Sequence, residues 1–424
     1  MKVYLNIFFL LGLALLLIAG CSFGPKYVTP DVETPVEYRN SDTILSDTLV
    51  NLAWWRLFED SRLDSLIQTA LENNRNIQIA VSRIDEARAF HGFNKADQFP
   101  RLDIQAGGSR GNYVQGLKLE SESQNFFISP VVNWELDFWG KYRKASEAAK
   151  AEFLATQYSH RALQISLISE VASTYFTLLD YRNRLIISRE TLKLRDESLH
   201  IITRRFEEGI IPEIDVFQAR IQREIAAAAI PGFERLIGFT ENSLSILLGQ
   251  LPDSITTADS ITYDAQTLEI PAGLPSDLLN RRPDIAEAEM LLKAQTARIG
   301  VAQALRLPSI SLTAALGFAS SELSQITDGD PGWSLSGNLF GPIFNFNKNI
   351  RRVEIEEART RQALLIYENT VLNAFREVED ALLEVSTYRL QLESKEIELN
   401  ASRNAARLSR SRYDKGVTSY LEVL

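Results

Sequence analysis

Cysteine, histidine and net positive charge are scarce in this 424-residue chain. One cysteine, Cys21, cannot form an internal disulfide, so its position has to account for it. His91, His160 and His200 stand far apart and none opens a metal-spaced pair, which leaves metal and histidine-base chemistry without support. Lys and Arg total 45 against 55 Asp and Glu, a net charge of −10, and such a balance argues against nucleic acid or an anionic surface as the main partner. No P-loop, HExxH, GxSxG or dinucleotide glycine pattern is present, so an enzyme is the weakest class. Beyond the first twenty residues no uninterrupted run of 18 or more apolar residues occurs, so any later membrane crossing falls to β-strands.

The first twenty residues explain the cysteine. Lys2 is followed by an apolar run from Ile7 to Ile18 and then by Ala19-Gly20-Cys21, the small residues a signal peptidase requires. The run is short for a bilayer span. Charged start, apolar middle and small-small-Cys end resemble a bacterial lipoprotein signal over 1–20, with the Cys21 thiol acylated as the new N-terminus; an ordinary secretory signal with an incidental cysteine is the other reading. Ser22 in place of an aspartate favours the outer membrane. Residues 21–53, with Pro25, Pro30 and Pro35, read as a tether from lipid to folded body.

From Trp54 onward one structural unit occurs twice. Asn76-Ile77, Ala80 and Pro100-Arg101-Leu102 align with Asp284-Ile285, Ala288 and Pro308-Ser309-Ile310 at a shift of 208 (284 − 76). Farther on, Glu170-Val171 aligns with Glu377-Val378, and Arg205-Phe206-Glu207-Glu208-Gly209 with Arg412-Tyr413-Asp414-Lys415-Gly416, at a shift of 207 (416 − 209). The first copy occupies 54–250 and the second 274–424, with a linker over 251–273. Inside each copy an apolar series runs by sevens: Val171, Leu178, Leu185, Leu192, Leu199, Phe206, and again Val378, Val385, Leu392, Leu399, Ala406, Tyr413. Seven is the coiled-coil period; a plain amphipathic helix would drift by about 20° per heptad. The pattern predicts helices over 141–207 and 348–414, each about 100 Å long at 1.5 Å per residue.

Between the helices the period falls to two. Leu102, Ile104 and Ala106 alternate with polar residues and Phe127–Phe138 returns across a polar loop Asn112–Ser123; Ile310, Leu312, Ala314 and Leu316 alternate likewise and Trp333–Phe344 returns across Glu322–Gly332. Each copy thus offers one β-hairpin, about 101–138 and about 309–344. The aromatics Trp134, Phe138, Trp139, Trp333, Phe340 and Phe344 at strand ends suit a membrane girdle and equally a soluble core. Four strands cannot close a transmembrane barrel, because the smallest have eight and an open edge is not tolerated in lipid. Two chains would supply 8 strands and three would supply 12. The fold expected is mainly α with a β-barrel part: long coiled-coil-like helical hairpins plus two β-hairpins per chain.

Longer motifs carry a family resemblance. Cys21-Ser22-Phe23-Gly24-Pro25-Lys26-Tyr27-Val28-Thr29-Pro30, Trp54-Trp55 with Phe58 and Leu63, Ala70-Leu71-Glu72-Asn73-Asn74, Leu274-Pro275-Ser276-Asp277-Leu278-Leu279-Asn280-Arg281-Arg282-Pro283-Asp284-Ile285 and Ile299-Gly300-Val301-Ala302 resemble the lipoprotein branch of the TolC-like outer-membrane efflux family, over essentially all of 18–424. The resemblance implies a homotrimer with a 12-stranded barrel in the outer membrane and a helical tunnel in the periplasm. It also implies a periplasmic adaptor and an inner-membrane pump as partners, no cofactor and no chemistry in the channel itself. The exported class would be small solutes such as drugs or metals. A protein-export (type I secretion) conduit and a periplasmic coiled-coil adaptor or scaffold lipoprotein are the alternatives; the scaffold has no use for two aromatic-flanked hairpins.

Gly209 and Gly416 follow the ends of the heptad series, where the helices must reverse, and glycine suits such a C′ position. In the family these turns form the periplasmic tip that meets the adaptor. Six residues past each stands an acid, Asp215 and Glu422. Glu422 matches a family position that lines the tunnel entrance with carboxylates; an acid in a first helical turn, favoured by the macrodipole, is the competing reading and the preferred one for Asp215. Pro283 and Asp284 describe a helix start. Phe344-Asn345-Phe346-Asn347-Lys348 lacks the glycines that relatives often carry, so a differently shaped junction is expected. The first copy continues about 40 residues past Gly209 whereas the second stops at Leu424, eight past Gly416 (424 − 416), so the last descending helix is expected to be missing from this chain.

Overall fold

The computed structural model describes residues 23–32, 34, 35, 38, 39, 53–114, 117–257, 275–418 and 422. The signal over 1–20, Cys21, and most of the tether and linker lie outside the described residues. The elements are α1 (Ser61–Asn73), α2 (Arg75–Ala96), β1 (Arg101–Val114), β2 (Leu117–Leu136), α3 (Lys141–Glu207), α4 (Glu213–Leu247), α5 (Pro275–Arg281), α6 (Pro283–Ala304), β3 (Ser309–Ser320), β4 (Gly332–Phe340) and α7 (Lys348–Asp414). The series α2-β1-β2-α3 recurs as α6-β3-β4-α7. The helices α3 and α7 are each 67 residues long, with the bounds the heptads imply.

The chain divides into two compact units, and each draws on both copies of the repeat. The first combines the segment up to Val32 with Ser82–Ser159 and Pro283–Val371; the second combines Glu33–Val81, His160–Arg282 and Leu372–Leu424. In the first, the strands form one antiparallel sheet of order β1-β2-β3-β4. The β1 and β2 ladder runs farther than the polar residues suggest: Arg110 pairs with Gln124, Gly111 with Ser123, and after a bulge Tyr113 with Lys118, so most of the expected Asn112–Ser123 loop is strand. Charged cross-strand neighbours suffice for this, Arg110 Nη2 lying 3.1 Å from Glu122. At the other end β4 stops at Phe340 rather than Phe344, since Gly341-Pro342 follows and proline has no N–H for the ladder.

In the second unit the core forms around α3. Leu63, Ile67 and Ala70 of α1 recur at helical spacing and bury against Leu167, Val171, Tyr175 and Leu178 of α3 and Leu244 of α4. Asp60 caps α1 through the N–H groups of Arg62 and Leu63, and the buried Tyr175 hydroxyl donates to it at 2.5 Å. Asn74 receives the Asn76 and Ile77 N–H groups at 2.9 and 3.2 Å and donates to the Leu247 carbonyl at 2.8 Å. The Asn73-Asn74 motif is therefore a helix cap docked on the end of α4. Among the described residues α3 is the one helix apolar and long enough to cross a membrane, yet its apolar stretch is this core. The second heptad series differs: Val385, Leu392 and Leu399 are about half exposed within the single chain.

Candidate functional site: the sheet faces and the tip turns

Register turns the two-residue alternation into two continuous faces. Leu102 of β1 opposes Val132, Val132 opposes Ala314, and Ala314 opposes Leu335, a row of apolar residues across all four strands. Leu136, Ile310 and Leu339 form another such row, and Leu316 with Trp333 a third. One residue along, the rows read Arg101, Asn133, Thr313, Ser336 and Glu135, Ser311, Asn338. A sheet with one hydrocarbon face and one polar face has only a few stable settings, and here the hydrocarbon face is bare. Leu102, Leu335 and Trp333 are 70, 70 and 79% exposed. The outer edges of β1 and β4 have no partner strand among the described residues. Twelve residues of β3 at about 3.3 Å each, tilted as barrel strands are, span roughly the 30 Å of a bilayer's hydrocarbon.

The segment after Cys21 is fastened to the base of this sheet. The Phe23 N–H donates to the Trp139 carbonyl at 3.3 Å and the two rings meet edge to face at 5.8 Å. Trp139 lies between β2 and α3, and its indole N–H donates to Pro308, the residue before β3, at 2.6 Å. Next in line, Gly24 has φ +115 and lies so close to α6 that a Cβ would come within 2.6 Å of the Gly300 Cα, while a Cβ on Gly300 would come within 2.7 Å of the Phe23 carbonyl oxygen. Two motifs far apart in sequence are therefore two sides of one backbone contact. Tyr27 and Thr29 then both donate to Glu289, at 3.0 and 3.1 Å. Burial first, and then the Glu289 carboxylate, push the Tyr27 phenol well up, which keeps it a neutral donor. Nearby on α6, burial raises the Glu287 carboxyl, with Asp284 adding and a Ser159 hydrogen bond opposing.

In the second unit, the structure brings the two predicted tip turns side by side. Gly209 has φ +74 and its N–H donates to Phe206, while Ile210 donates back to Arg205; Gly416 has φ +71 with the same pair of bonds to Tyr413 and Arg412. Both are Schellman caps. The Arg205 guanidinium lies 4.9 Å from the centre of the Tyr413 ring and 3.7 Å from Asp414, and Tyr413 packs with Ile202, Val216 and Ala219. Asp215 is buried in the first turn of α4 behind Pro212, as a helix-start acid should be. Glu422 is exposed, 3.3 Å from Arg412 Nε and accepting from the Thr418 hydroxyl. Arg281 and Arg282 pair with Asp277 at 3.3 Å and Glu377 at 2.7 Å around the start of α6, a structural role. Because Gly209, like Gly416, needs only its φ, with open space where a Cβ would stand, Gly209→Ala is expected to cost about 1 kcal/mol and Gly209→Asn less. Thermal melts of the two variants would check the order.

A model of the family described as outer membrane efflux protein matches residues 66–250 and 274–424. The chain belongs to the outer membrane efflux protein family. Within it, the chain is 35% identical over 426 residues to the probable efflux pump outer membrane protein TtgC of Pseudomonas putida, covering 98% of this chain and 88% of the relative. It is 34% identical over 414 residues to the cation efflux system protein CusC of Escherichia coli K12, covering 96% and 90%. A solved structure of CusC superposes with a TM-score of 0.84 at 33% identity, over 95% of this chain and 92% of that one. This efflux protein is thus an outer-membrane channel subunit with a barrel part and a helical tunnel part. A bare apolar face suits the lipid-facing band of such a barrel and a polar face its lumen.

Proposed function

We propose that three copies of this chain close a 12-stranded barrel and its tunnel, and that the assembly carries small toxic solutes, drugs or metals, handed over by a periplasmic adaptor and an inner-membrane pump. The observation that carries it is the four-stranded sheet with one apolar face and two open edges. Unpaired backbone groups cannot face lipid, so β1 of one copy pairs with β4 of the next. The half-exposed second heptad series, Val385, Leu392 and Leu399, supplies helix faces for the same neighbours. The channel performs no chemistry, and energy enters at the pump. Cys21 carries the acyl chains: it stands two residues before Phe23, which is fastened at the base of the sheet, and a two-residue separation is at most about 7 Å. Gly209 and Gly416 shape the turns that meet the adaptor.

Purified protein run unheated on a denaturing gel tests the trimer, which should migrate as a heat-modifiable oligomer and form channels in planar bilayers; a monomer without conductance would sink the reading. For the tunnel mouth, Glu422 contributes one carboxylate per copy, held toward Arg412 and Thr418. Three such groups near one axis attract cations. Glu422→Gln is expected to lower cation preference in single-channel recordings at low salt, and unchanged selectivity would remove Glu422 from the mouth.

A further inference from the structure

The two strand-to-helix junctions occupy repeat-related positions, and they are finished differently. At the shift of 207, Trp139, Gly140 and Lys141 correspond to Phe346, Asn347 and Lys348, and both long helices begin at the lysine (348 − 141 = 207). Gly140 has φ +80, and in the second copy the left-handed turn persists without glycine: Phe346 has φ +49 and Asn347 φ +63. A Cβ disfavours that region, most of all on a bulky residue, so two such residues in succession mark a conformation that its surroundings must favour.

The surroundings also differ in polarity. In the first junction Trp139 is covered by Phe23, Lys141 is paired with Glu135 at 2.5 Å and Arg143 with Asp137 at 3.1 Å. In the second, Pro342 and Phe344 stand where Glu135 and Asp137 stood (342 − 135 = 344 − 137 = 207). Lys348 is exposed and makes no ion pair among the described residues. The strained turn presents its apolar side chains outward: Ile343 is fully exposed, Phe344 and Phe346 are 75 and 85% exposed, and their rings lie 4.7 Å apart. Among the described residues nothing covers them.

We infer that Ile343, Phe344 and Phe346 lie in the inner leaflet of the outer membrane, at the boundary of headgroups and acyl chains, with Lys348 among the lipid phosphates. The occupant follows from continuity. β4 ends at Phe340, one residue past Leu339 of the apolar rows, and the turn begins at the next residue, Gly341, packed on Pro308, whose carbonyl also receives the Trp139 indole. Both junctions therefore meet at Pro308, at the base of the band. An apolar cluster beside an uncompensated cation is the pattern of an interfacial anchor. One junction is covered by the chain's own N-terminal segment and the other uses phospholipid. This rests on the chain being an outer-membrane protein, not on acylation of Cys21.

The test is a nitroxide on Ile343→Cys in the full-length protein, in vesicles of phosphatidylethanolamine and phosphatidylglycerol, with labels on Leu335→Cys and Asn404→Cys as lipid and water references. The 343 label is expected to collide more with oxygen than with an aqueous nickel chelate, at a depth shallower than the 335 label. Replacing Phe344 and Phe346 by serine should move it toward the 404 values. Replacing Lys348 by glutamate should abolish any deepening that phosphatidylglycerol produces over phosphatidylcholine alone. A 343 label as open to nickel as the 404 label would overturn the inference in favour of an aqueous lumen. A label reached by neither reagent would overturn it in favour of a neighbouring subunit. Either result with an intact 335 signal leaves the channel reading standing.

Discussion

Leu335→Arg is expected to prevent assembly of the channel in the outer membrane. Leu335 stands in the apolar row Leu102, Val132, Ala314, Leu335 and is 70% exposed on the lipid face of β4. An arginine near the middle of a lipid-facing barrel strand costs about 2–4 kcal/mol, hence roughly 6–12 kcal/mol for three copies. That is comparable with the roughly 5–15 kcal/mol that holds a typical folded protein together. The control is one residue away. Ser336 lies on the polar face with Thr313 and Asn133, so Ser336→Arg should assemble at normal levels while narrowing the lumen and shifting selectivity toward anions. Heat-modifiable oligomer in outer-membrane fractions reads the first variant and single-channel recording the second. Equal assembly of both would mean that the faces are assigned the wrong way round.

Gly300→Val is the second large effect. The helix α6 tolerates no Cβ at this position, because the Phe23 carbonyl oxygen would lie 2.7 Å from it and Lys144 Cγ 3.0 Å. Valine brings two further carbons into the same space. Either the helix shifts, at a typical overpacking cost of about 1–3 kcal/mol, or the segment 23–32 leaves its groove. Leaving loses the Phe23 contact with Trp139 and the bonds from Tyr27 and Thr29 to Glu289 together. Limited proteolysis should then cut within 23–32 of the variant and spare the parent protein, with Gly300→Ala intermediate. Continued protection of the segment in Gly300→Val would show that the close approach relaxes without undocking.

Much of this was legible from local pattern. A seven-residue period is a property of one helix, so the apolar series from Val171 and from Val378 placed both 67-residue helices, and the glycines after Phe206 and Tyr413 placed both reversals. Boundaries set by pairing were less legible. The polar stretch Asn112–Ser123 read as loop, but Ser123 pairs with Gly111 and, past a bulge, Tyr113 with Lys118, so partner backbone extends the ladder into it. Conversely the aromatics after Gly341-Pro342 read as strand, and the missing proline N–H ends it at Phe340.

By itself, then, the sequence determined the repeat, the alternation of helix and hairpin, the tip turns and the need for more than one chain, because each follows from periodicity or from the count of strands. Only the tertiary structure decided that β2 pairs with β3 in a register that merges two amphipathic hairpins into one lipid face. It alone showed that the lipoprotein-end motif and Ile299-Gly300-Val301-Ala302 are two halves of one contact, and that Phe346 takes up the left-handed backbone glycine would otherwise supply. The physical reason is common to all three. Strand register, close approach of backbones and tolerated strain are set by atoms distant in the chain, and no local pattern carries their positions.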